Sequence, residues 1–163
     1  MRQLEQIDFG YPLGENVVRD AAPSDGWSED FQRRSCASGL AEFYSACDGL
    51  SFPDVHVGYF VDPAHRVARV DPSSRPEILV LDRDVPVLTF GSTGGGGLFV
   101  VECETGAVYL LDAGELRGGR YLGGSDQVKY VAPSVAGFLE RLLADLTAFV
   151  DDDANHSYVA GTP

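Results

Sequence analysis

The residues most able to carry chemistry in this 163-residue chain are a glycine run, three histidines, three cysteines and a large surplus of carboxylates. The run FGSTGGGGLFVVE holds Gly94, Gly95, Gly96 and Gly97 in succession. Backbone N–H groups of such a loop can cradle a phosphate, but that chemistry needs a helix N-terminus behind the loop and usually a lysine. Here the β-rich run Leu98 to Cys103 follows, and no basic residue is near. The glycines therefore read as a tight, exposed turn where backbone approaches something closely.

His56, His65 and His156 show no HxxxH or HExxH spacing, so a metal would need carboxylates from elsewhere. Surface or strand-edge histidines are the simpler account, with His156 in a fraying tail. Cys36 and Cys47 fall on an apolar helical stripe and read as buried structural thiols. With Cys103 the count is odd and lacks CxxC spacing, which argues against a disulfide framework or a zinc site. No GxSxG elbow is present. No catalytic residue, cofactor or metal is therefore assigned. An enzymatic reading would require the carboxylates Asp54, Asp62, Asp82, Asp84, Glu102, Glu104, Asp112 and Glu115 to form a buried cluster in a concave pocket.

The elements that must position these groups follow from periodicity. Residues 1–27 have no sustained period and are broken by Pro12, Gly14, Pro23 and Gly26; they read as an irregular arm. Ser28 is a candidate N-cap for a helix with Leu40, Phe43, Tyr44 and Cys47 on one face, closed by Asp48 and Gly49. Strands are expected at Val55 to Val61, Arg66 to Val70, Ile78 to Leu81, Val85 to Phe90, Leu98 to Cys103, Ala107 to Leu111 and Val128 to Ala132. The pair around Glu104, Thr105 and Gly106 reads as a hairpin in the middle of the sheet. Its alternation puts Phe99, Val101 and Cys103 on one face and Leu98, Val100 and Glu102 on the other. Glu102 is expected at a partly exposed end.

Pro133 and Ser134 open a second helix. Its apolar stripe is Val135, Phe138, Leu139, Leu142, Leu146 and Phe149, and Glu140, Arg141 and Asp145 take the other face. Residues 154–163 read as frayed. The order of elements gives an α+β fold. It predicts one domain over residues 28–153, a mainly antiparallel sheet of about five to six strands, and a helix from each half covering the core.

Read together, LAEFYSACDGL, TFGSTGGGGLFVVECETGAVYLL and APSVAGFLERLLADL resemble three segments of the SUKH superfamily in order and spacing. They match its first helix with a Gly turn, its central glycine-then-strand hairpin, and its closing Ser-introduced helix. The resemblance runs from about Leu40 to Val150. It implies an α+β fold and a non-catalytic, cytoplasmic protein. The superfamily includes bacterial immunity proteins that neutralise polymorphic toxins and a fungal cell-wall synthesis regulator.

The formal net charge of −13, from 25 acidic and 12 basic residues, narrows the partner. Such a surface repels nucleic-acid phosphate and anionic membranes, and speeds encounter with a basic protein. No stretch of 18 apolar residues exists to span a membrane. The expected partner is a protein, a toxin domain such as a basic nuclease. The expected contact surface is Asp54, His56, Tyr59, Gly94, Gly95, Gly96, Gly97, Glu102 and Glu104. A regulatory scaffold serving several cellular partners is the alternative.

Overall fold

The computed structural model describes residues 14–21, 37–69 and 71–161. Among the described residues, three helices and ten strands make an α+β fold. They run β1 (Val17–Val18), α1 (Ala37–Ala46), β2 (Leu50–Phe52), β3 (Tyr59–Val61), α2 (Ala64–Ala68), β4 (Ile78–Val80), β5 (Asp84–Thr93), β6 (Leu98–Glu102) and β7 (Val108–Leu111). Then come β8 (Leu116–Arg117), β9 (Arg120–Tyr121), a 3₁₀ turn (Ser125–Gln127), β10 (Val128–Ala132) and α3 (Val135–Val150). The expected five to six strands become ten because four short ones join them: β1, β8 and β9 have two residues each and β2 has three, too few to show an alternation.

The ten-residue β5 organises the sheet. Its C-terminal part pairs with β3 and its N-terminal part with β4, while β6 runs along its other edge. From β6 the sheet continues through β7 to β10. Beyond β3 lie β2 and β1; beyond β4 lie β9 and β8. All pairings are antiparallel except β4 with β9.

The β6–β7 hairpin forms at the centre, with Leu98 opposite Leu111 and Val101 opposite Val108. Its faces separate as the alternation requires. Phe99 and Val101 enter the main core with Phe90, Phe138 and Leu142, and Cys103 packs against it. Phe138 meets Phe90 edge-on at 5.3 Å between centroids. Val100, with Leu98 at its side, joins a second core with Leu79, Val85, Val87, Leu111 and Tyr121. The chain covers that second face itself, through Leu79 of β4 and Tyr121 of β9.

Helix α1 buries Leu40, Phe43 and Tyr44 on the expected stripe, with Cys47 just beyond its end. Gly49 follows at φ +93°, where a side chain would strain the backbone. The proposed N-cap Ser28 lies outside the described residues, as does Cys36. Helix α3 starts where expected: the Ser134 hydroxyl accepts from the Gly137 amide at 3.1 Å.

Several expectations are corrected. Only Tyr59–Val61 of the first strand is extended, because a turn precedes it, with His56 at φ +54° and Gly58 at +84°. Arg66 to Val70 was expected as a strand, but Ala64–Ala68 is helical. Pro63 precedes this short helix, and Asp48 Oδ1 accepts its first amide, Ala64 N, at 2.8 Å. Val70 is outside the described residues. Cys103 is disulfide-bonded and Cys47 is free; an odd cysteine count excludes a fully paired framework but leaves room for one bond. Within the arm, β1 is tied to the sheet edge, with Val17 opposite Ser51.

Residues 154–161, expected to fray, are packed against α3. Val159 is buried, and its amide donates to Asp145 at 2.9 Å. Asp145, expected on the outer face of α3, is consequently only 1% exposed. It follows Leu142 by one helical turn, so it lies on the core stripe, and the tail covers it there.

Candidate binding surface

The sequence-derived surface divides into two places. Asp54, His56, Tyr59 and the glycine turn lie at one end of β6, where Tyr59 pairs with Thr93 and the Gly94 amide donates to Gly58 O at 3.1 Å. Glu102 and Glu104 lie at and beyond the other end of β6.

At the first place most of the named side chains are already engaged. Asp54 is 5% exposed and accepts from the Gly14 amide at 2.8 Å and from Asn16 Nδ2 at 2.6 Å, tying the arm to the domain. The His56 ring stacks on Tyr158 at 4.2 Å, and its Nε2 hydrogen-bonds with Gly161 O. Tyr59 is fully buried. Its hydroxyl donates to Asp145 Oδ2 at 2.6 Å, and His156 Nε2 lies 2.8 Å from Asp145 Oδ1. A carboxylate can only accept, so that nitrogen carries its hydrogen. Burial, reinforced by the Asp145 hydrogen bond, pushes the Tyr59 hydroxyl pKa far upward. Together these groups clasp the tail to the domain.

Gly94, Gly95 and Gly96 are exposed and Gly97 is buried. A Cβ on Gly94 would stand 2.2 Å from Val57 O, and one on Gly97 would stand 2.9 Å from Leu110 Cδ1. Close backbone approach therefore accounts for these two glycines. Gly96 takes φ +88° in the turn.

At the second place Glu102 is buried, not partly exposed as expected. Its cost of burial is offset by partners: Arg83 at 3.0 Å, Thr105 Oγ1 at 2.9 Å and Tyr109 OH at 3.3 Å. Arg83 also reaches the exposed Glu104 at 3.1 Å. Burial, and then the Glu102 charge, raises the Tyr109 hydroxyl pKa.

Tyr109 also opens onto a feature the sequence did not single out. Beside the cover made by β4 and β9, the second face of the sheet is left open as a groove of about 490 Å³, within the roughly 300–1,000 Å³ of ligand-sized clefts. One wall is Val80, Leu81 and Asp82; the floor is Tyr109, Val128 and Tyr130; the loop with Gly123 and Ser125 closes it. Val128 and Tyr130 share a face because they are two apart on β10. Tyr130 is 54% exposed, and Leu81 of the same groove is also exposed. The rings of Tyr109 and Tyr130 meet edge to face at 5.8 Å and 78°.

The groove carries negative charge. Arg83 is spent on Glu102 and Glu104, and Arg120 on Asp84. Asp82 in the wall is exposed and forms no ion pair among the described residues. β10 pairs only with β7, so its outer edge carries no strand among the described residues.

The sequence held a signal for this groove: the alternating Val128 and Tyr130 leave an aromatic on a face that the strand count gave no partner. No helix among the described residues is long and apolar enough to cross a membrane. No family model, curated protein or solved structure matches the chain.

Proposed function

We propose that this chain is a non-catalytic protein-binding domain, an immunity protein of the SUKH type that neutralises a basic toxin domain in the cytoplasm. The observation that carries the reading is the open groove, where exposed Leu81 and Tyr130 line the same concavity as Asp82, which forms no ion pair among the described residues. Exposed large apolar side chains gathered at one concavity mark interaction sites, and an acidic rim selects a basic partner. A net charge of −13 adds long-range steering. A nuclease toxin must be basic to hold nucleic acid, so an acidic protein can occupy its substrate channel.

The buried polar groups favour a binding role over catalysis. Both oxygens of Asp145 and two of the partners it faces hold the tail in place, and Glu102 is enclosed by its hydrogen bonds.

The test is to mix the protein with the product of an adjacent toxin-like gene and to co-express the two. A one-to-one complex at micromolar concentration and rescue of toxin-expressing cells are expected. Neither complex nor rescue would overturn the proposal, and capture of several housekeeping proteins instead would favour the scaffold reading.

A further inference from the structure

The groove has a chemistry more particular than acidic and apolar. Its floor presents the exposed ring of Tyr130 in T-shaped contact with Tyr109. Its wall presents the Asp82 carboxylate, which forms no ion pair among the described residues. The Tyr109 hydroxyl is committed to Glu102, so this phenol is fixed in orientation. Val80, Leu81 and Val128 supply aliphatic contact between the two polar elements.

A ligand satisfying all of these needs a flat or narrow apolar stem ending in a cation. The stem lies along the aliphatic walls, the cation faces the electron-rich ring of Tyr130, and its N–H groups donate to Asp82. An arginine side chain has this form, and its planar guanidinium suits an aromatic face and a carboxylate together better than an ammonium does. An acidic or neutral apolar side chain would leave Asp82 repelled or unpaired.

We propose that the groove between β4 and β10 is an arginine-binding subsite, and that a partner protein anchors there by one exposed arginine. This rests on the protein-binding reading above and gives the site its chemical identity. No strand lies on the outer edge of β10 among the described residues.

The probe is N-acetyl-arginine-N-methylamide, titrated into isotope-labelled full-length protein and followed by NMR. Its neutral isostere, the corresponding citrulline derivative, serves as the control. Resonances of Tyr109, Val128 and Tyr130 should shift and saturate with arginine, and the citrulline compound should bind about tenfold more weakly. Asp82→Asn and Tyr130→Ala should each reduce arginine affinity by a similar factor. Both positions are exposed, so both variants keep the fold, which the remaining spectrum verifies. Shifts located elsewhere, equal binding of citrulline, or indifference to Asp82→Asn would overturn the proposal.

The outcome is separable from that of the toxin assay. A toxin complex unaffected by Asp82→Asn removes the arginine subsite and leaves the immunity reading. Arginine binding without any toxin partner does the reverse.

Discussion

The hydroxyl of Tyr59 on β3 donates a 2.6 Å hydrogen bond to Asp145 of α3, 86 residues away, and the same carboxylate receives the Val159 amide. One buried acid thus joins the sheet, the last helix and the tail. Tyr59→Phe should cost about 1.5–3 kcal/mol, the usual range for a hydrogen bond to a charged group. Asp145→Ala should cost more, about 3–5 kcal/mol, because it leaves the Tyr59 hydroxyl and a buried amide without acceptors. Urea denaturation measures both. Limited proteolysis should cut within residues 154–161 much faster in Asp145→Ala than in the parent. Equal cleavage would mean that the tail is held by something other than this clasp.

Alkaline stability follows from the buried tyrosines. Tyr44 and Tyr59 have hydroxyl pKa values pushed far above the ordinary range, in each case chiefly by burial. A raised folded pKa means that the unfolded chain loses its protons first. The stability contributed by these groups is complete below about pH 10 and is lost as pH rises beyond it. The denaturation midpoint should therefore fall steeply above about pH 10, and the slope should be shallower in Tyr59→Phe. An unchanged slope in that variant would show that Tyr59 ionises freely in the folded state.

The glycine turn separates two physical reasons for glycine. Gly94→Ala places a methyl 2.2 Å from Val57 O, so backbone must shift, at a cost of about 1–3 kcal/mol. Gly96→Ala meets nothing but is held at φ +88°, which costs about 1–2 kcal/mol. Gly95→Ala faces only Thr93 Oγ1, at 3.7 Å, and should stay within about 0.5 kcal/mol of the parent. Thermal melts of the three variants test this ranking.

Cys103 is disulfide-bonded and Cys47 is free and buried. In the denatured, unreduced chain Cys47 should be alkylated and Cys103 protected, and reduction should expose Cys103 as well. Disulfides are rare in reducing compartments, so a cytoplasmic role requires the domain to stand without the bond. Reduction should lower stability by about 2–4 kcal/mol and leave the circular dichroism of the folded protein intact. Unfolding on reduction would argue against the cytoplasmic placement.

The α+β class, the central hairpin and the start of the last helix are legible in the amino-acid order. Each rests on local physics: alternation divides Phe99 and Val101 from Val100, and Ser134 caps the helix that follows it. Tertiary structure alone decided which polar residues went inside. Asp145 and Glu102 have the residue type of a surface, yet both are buried, because partners distant in sequence supply their hydrogen bonds: Tyr59, His156 and Val159 for one, Arg83 for the other. The burial of a carboxylate depends on donors that only the folded chain brings near. The groove has the same origin. Tyr109, Tyr130 and Asp82 belong to three segments, and they meet because β4 and β9 fold over part of the second face of the sheet and leave the rest open.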